Sequence, residues 1–118
     1  MSESFTLVRP QGRLDAASAP LLDQELQQHL ADGHTQILID LSGTRYINSN
    51  GLRVLLRASQ AIRRQGGRMK ICCLGARLAD IFSMAGFDQL FEIYESKQAA
   101  ENAFREQAQG SGPKRTDP

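Results

Sequence analysis

The stretch Asp40-Leu41-Ser42-Gly43-Thr44-Arg45-Tyr46-Ile47-Asn48-Ser49-Asn50-Gly51-Leu52 carries the most information in this chain. It continues Gln36-Ile37-Leu38-Ile39, a short apolar run that suits a parallel strand covered on both faces. Asp40 and Leu41 close that strand, a loop over residues 42–47 reverses the chain, and a helix begins at Ser49 or Asn50. Asn and Ser suit such a start because their side-chain oxygens accept hydrogen bonds from the orphan amides of the first turn. A helix start also carries partial positive charge and free N–H donors, which favour an anion. Gly51 leaves the turn open to close approach by another backbone. A capped helix after a strand accounts by itself for three of these residues.

Downstream, Leu52, Leu55, Ser59 and Ile62 form one stripe of this helix, broadened by Val54, Leu56, Ala58 and Ala61. Arg53, Arg57, Gln60 and Arg64 share the opposite face. Gly66-Gly67 stops the helix, and residues 69–74 read as a strand. A short helix over residues 78–84 leads through Gly86 to another strand over residues 90–94. Residues 98–108 form a final helix with Ala99, Ala103 and Phe104 turned inward. Upstream, residues 5–8 read as a strand ended by Pro10 and Gly12. Ser18 is placed to cap a helix with Pro20 in its first turn, Leu22, Leu26 and Leu30 as its apolar face, and Gly33 at its end. Strands thus alternate with helices. The order predicts a single α/β domain over residues 1–108, in two or three layers, with about four helices and a mostly parallel sheet of about four strands. Residues 109–118 have no apolar side chain and are expected to be a disordered tail.

The chain has 118 residues, 41% apolar and 23% charged, a composition that supports one buried core. Its 14 basic and 13 acidic side chains leave a net charge of +1, too little for a general field that attracts DNA, RNA or an anionic membrane. No apolar run approaches the ~18 residues of a spanning helix, so a cytoplasmic protein without membrane insertion is expected. Cys72 and Cys73 are neighbours. A disulfide between them is strained, and neither a CxxC pattern nor a Cys/His cluster is present. They read as two reduced cysteines in a strand, His29 and His34 lack a ligand-type partner at useful spacing, and neither metal nor cofactor is expected. Phosphate-binding glycine loops and nucleophile–base pairings are missing too, so the chain is not expected to be an enzyme.

The elements Asp-Leu-Ser-Gly, Ile-Asn-Ser-Asn-Gly-Leu and Leu-Leu, with Gly12-Arg13-Leu14-Asp15 and Gly86-Phe87-Asp88, resemble the STAS domain of anti-sigma factor antagonists (anti-anti-sigma factors) over residues 5–104. The resemblance implies a partner-switching protein. Such an antagonist binds an anti-sigma factor that is also a serine kinase and carries the ATP, and so frees a sigma factor for transcription. Phosphorylation just before the motif glycine breaks the complex, and a phosphatase restores it. The family's usual Asp-Ser-Ser-Gly or Asp-Ser-Thr-Gly reads Asn48-Ser49-Asn50-Gly51 here, so the acceptor position has no hydroxyl. Three readings of Asn50 stay open: a permanently unphosphorylated-like state, transfer of phosphate to Ser49, or slow deamidation at Asn50-Gly51. The docking face implied comprises Asn48, Ser49, Asn50, Gly51, Arg53 and Arg57. A second reading is a STAS scaffold subunit of a lipid-transport ABC complex.

Overall fold

The computed structural model describes residues 5–108; the tail expected from residue 109 lies outside them. Six strands and four helices are formed: β1 (Thr6–Val8), β2 (Gly12–Leu14), α1 (Ala19–Ala31), β3 (Gln36–Asp40), β4 (Thr44–Ile47), α2 (Ser49–Arg64), β5 (Arg68–Cys72), α3 (Ala76–Met84), β6 (Glu92–Tyr94) and α4 (Lys97–Ala108). A single 3-10 turn, Phe87–Gln89, precedes β6. Four strands make a parallel sheet in the order β1-β3-β5-β6. That agrees with the α/β class and the four parallel strands expected from the sequence.

The continuous apolar run in β3 is explained by cover on both faces: Ile37, Leu38 and Ile39 are wholly buried. Ile37 and Ile39 belong to the larger core, with Leu22 and Leu26 of α1, Leu55 and Ile62 of α2, and Phe82 of α3. Leu38 points to the other face and packs with Cys72, Ala100 and Phe104. The arrangement is three layers, with α1, α2 and α3 on one side and α4 on the other. α4 buries Ala100 and Phe104, whereas Ala99, expected inward, is exposed. Ala100 and Phe104 form an (i, i+4) pair on the inner face, and Phe104 stacks on Phe5, ring centroids 5.3 Å apart.

Lys70 is the unusual member of the α4 face. Its side chain is fully buried, lies 5.0 Å from the Phe104 ring, and pairs with the Glu92 carboxylate from the neighbouring strand. Glu92 also holds Arg68 at 3.5 Å.

Two short strands were not legible in the sequence. Residues 42–47 read as a loop, and Gly12 as the end of a strand. In the structure β2 and β4 pair in parallel as a separate two-stranded sheet, with a register shift between Gly12 and Arg13. Other boundaries moved by a residue or two. α2 ends as expected at Gly66, whose φ of 82° only glycine adopts freely. Gly66 N–H donates to Arg63 O and Gly67 N–H to Ile62 O, the paired bonds of a Schellman end. Ser18 occupies the N-cap position of α1 without capping it. Its hydroxyl donates to Arg13 O, while the Asp15 carboxylate accepts the Ala17 and Ser18 amides at 3.1 and 3.3 Å. The Ser18 hydroxyl also accepts Asp15 N–H at 3.0 Å, so Asp15 and Ser18 together organise the turn into α1.

Candidate functional site

The start of α2 is built by the β2–β4 sheet. Asn48 N–H donates to Leu14 O at 3.0 Å, extending that ladder by one rung and delivering Asn48 to the cap position. There its backbone is extended, and its Oδ1 accepts from Asn50 N–H at 2.9 Å. The cap is therefore Asn48, and the helix begins at Ser49. Ser49 is exposed; Asn48 and Asn50 are half-buried.

Gly51 is buried on the inner side of this first turn. A Cβ there would lie 2.7 Å from Ile47 Cγ1 and 2.9 Å from Leu14 Cβ. The sequence suggested approach by another backbone; the neighbours are instead side chains of β4 and β2. The glycine lets the helix sit directly on the small sheet, so the motif is fixed in orientation rather than carried on a free loop.

Arg53 and Arg57 are both exposed, one turn apart on the outer face of α2 with Gln60 and Arg64. No acidic residue lies in the first turn of α2. The partial positive charge of the helix start therefore adds to these guanidiniums, giving this end a local field that the net charge of +1 conceals. Of the six residues singled out in the sequence, Asn48 is the cap, Ser49, Asn50, Gly51 and Arg53 lie in the first two turns of α2, and Arg57 follows one turn further along.

Sequence reasoning missed the support for this surface. Arg13 and Tyr46 are register partners across β2 and β4, and the guanidinium lies 4.4 Å from the ring centroid. Asp15, at 3.6 Å from Arg13, continues the group toward α1. Burial alone would raise the Asp15 carboxyl, but hydrogen bonds from Ser18 and Ala17 and the Arg13 charge outweigh it and hold the group below the ordinary carboxylate range. No periodicity announces this cluster, because its members come from strands of three and four residues. Phe87 packs against Phe91, ring centroids 5.8 Å apart, and is half-buried.

The cysteines also depart from expectation. Cys72 ends β5, but Cys73 leaves the strand with φ 68°. Among the described residues, one group of three ligand-type side chains converges: Asp40, Cys72 and Cys73. No helix among the described residues is long and apolar enough to cross a membrane.

The sequence model of the STAS domain matches residues 2–100. The chain is 33% identical over 95 residues to BtrV of Bordetella bronchiseptica, covering 80% of this chain and 82% of that one. It is 30% identical over 92 residues to the anti-sigma-B factor antagonist of Bacillus subtilis, covering 78% and 84%. In three dimensions it is similar to TM1081 of Thermotoga maritima, with a TM-score of 0.83 at 21% identity over 89% of this chain and 91% of that one. The overall fold is thus shared with a solved antagonist-like structure, and the chain belongs to the STAS domain family, of the anti-sigma factor antagonist type.

Proposed function

We propose that this chain is a cytoplasmic partner-switching protein that docks onto an anti-sigma factor through residues 48–57 and so regulates sigma-factor-dependent transcription, acting by binding and not by catalysis. The observation that carries this reading is the pinned start of α2. Asn48, Ser49 and Asn50 are held by a cap and a buried glycine on a rigid two-stranded support, with Arg53 and Arg57 exposed beside them. A preformed surface loses little entropy on binding. Its two guanidiniums suit acidic groups on the partner, where rim charges act mainly on the association rate. The relatives named as anti-sigma factor antagonists support the choice of partner.

Phosphate control, where the partner is a kinase, cannot use Asn50, which has no hydroxyl. Ser49 is the hydroxyl left in the motif, exposed at the first position of α2. A phosphate there adds about −1.5 to −2 charges to the rim of the docking face and would loosen a fitted interface. Without it, binding is constitutive.

Affinity purification of the tagged chain from its host, with mass spectrometry of the partners and of Ser49, tests the proposal. Recovery of an anti-sigma factor with Ser49 unmodified supports constitutive binding. Phosphate on Ser49 in the unbound fraction moves the switch by one residue. Recovery of ABC-transporter subunits in place of an anti-sigma factor overturns the proposed function.

A further inference from the structure

Neighbouring residues of a strand point to opposite faces of the sheet, so Cys72 and Cys73 would stay apart if β5 simply continued. It does not continue. Cys73 is the one non-glycine among the described residues with a positive φ, at 68°. That left-handed turn brings the Cys73 side chain back beside its neighbour, and the two sulfurs lie 3.3 Å apart. Asp40 is the register partner of Cys72 on β3. Both sulfurs and a carboxylate oxygen of Asp40 lie within 4.8 Å of one another. A residue held in a sparsely populated backbone conformation is a reason to ask what its side chain does.

We propose that Cys72, Cys73 and Asp40 form a binding site for a thiophilic divalent cation of the zinc class. The donor set decides the class: two thiolates and one carboxylate suit zinc, whereas magnesium and calcium require oxygen ligands throughout. Tetrahedral Zn–S bonds of about 2.3 Å place two sulfurs about 3.8 Å apart, so a small side-chain rotation opens the observed pair to that spacing. Three protein ligands leave a fourth position for water or a partner's group. Cys72 and Asp40 are buried, and the half-buried Cys73 marks the entry.

The surroundings fit a supported carboxylate. Asp40 accepts Ser42 N–H at 2.9 Å and Arg9 Nε at 3.1 Å, which fixes its orientation and leaves lone pairs free. Arg9 is half-exposed and offsets part of the negative charge that two thiolates and a carboxylate carry. Binding replaces the two thiol protons, which pass to solvent. The cation would tie the end of β3, where the chain leaves toward β4 and α2, to the end of β5, where it leaves toward α3.

The test uses the full reduced chain, stripped with a chelator and titrated with Co2+ as a spectroscopic probe, then with Zn2+. The expected result is one Co2+ per chain with a thiolate-to-cobalt charge-transfer band and tetrahedral visible bands, bleached by Zn2+. Cys73→Gly is the decisive variant, because glycine suits φ 68° and keeps the fold while removing the thiol. It should abolish the charge-transfer band with unchanged far-ultraviolet circular dichroism. Asp40→Asn should weaken Co2+ binding at least tenfold. Absence of a charge-transfer band in the unaltered chain, or its persistence in Cys73→Gly, overturns the proposal.

Discussion

At Gly51 a single missing methyl group decides how α2 meets the small sheet. Leu14 Cβ, 2.9 Å from the position a Cβ would take, is anchored to the β2 backbone and cannot swing away. Gly51→Ala should therefore destabilise the fold by about 1–3 kcal/mol, as overpacking of a filled site does, and urea unfolding reads it directly. Three residues earlier, Asn48→Ala removes the acceptor of the Asn50 amide and should cost about 0.5–2 kcal/mol, whereas Asn48→Asp keeps the cap and should cost much less. Equal losses for Ala and Asp would contradict the capping role. Asp15 supplies a pH dependence. Its carboxyl is held below the ordinary range in the fold, so its contribution is fully present above about pH 4 and is lost as pH falls through the lower folded value. Asp15→Asn should unfold at a lower temperature than the unaltered chain at neutral pH, and the gap should close in acid. A gap that widens in acid has the wrong sign.

Helices with a sustained apolar stripe were legible from the sequence. In α2 the expected stripe of Leu52, Leu55, Ser59 and Ile62 is buried, and Arg53, Arg57, Gln60 and Arg64 are exposed. Four turns of periodicity leave little ambiguity. α4 has fewer apolar residues: Phe104 is buried as expected and stacks on Phe5, but Ala100 is buried where Ala99 was expected. Phe104→Ala should cost about 3–5 kcal/mol, and hydrogen exchange should show α4 loosening before α2. β2 and β4 escaped notice because parallel pairing between residues 12–14 and 44–47 is non-local and rests on too few residues for alternation to show. At the far edge of the sheet, Lys70 and Glu92 make an asymmetric pair, one side chain fully buried and the other partly exposed. Lys70→Met replaces the buried ammonium with an apolar chain of similar length and should be nearly neutral or stabilising. Glu92→Gln leaves the ammonium without its counter-charge and should be the more damaging change, by about 3 kcal/mol. A reversed order in chemical denaturation would mean that Lys70 draws its stability from elsewhere.

For the molecule as a whole, the fold follows from one buried parallel sheet with helices on both faces, while the proposed function depends on one helix start. The motif over residues 48–51 and the arginines after it could be read in the sequence because they are consecutive or one turn apart. What holds them, Leu14 and the Arg13–Tyr46 pair, could not, because the chain brings these together only on folding. The same limit applies to Asp40 and the cysteines, whose grouping depends on strand register and on the turn at Cys73.

The central claim is that this chain binds an anti-sigma factor through the start of α2. Its most direct test is the dissociation constant, at fixed ionic strength, for the anti-sigma factor recovered from the host. Arg53→Glu and Arg57→Glu would be measured beside Arg105→Glu, which alters an exposed charge on α4. The account predicts that the α2 reversals each weaken binding at least about tenfold, equivalent to about 1.4 kcal/mol, while Arg105→Glu leaves it unchanged. Equal affinity for all three variants and the unaltered chain would contradict it.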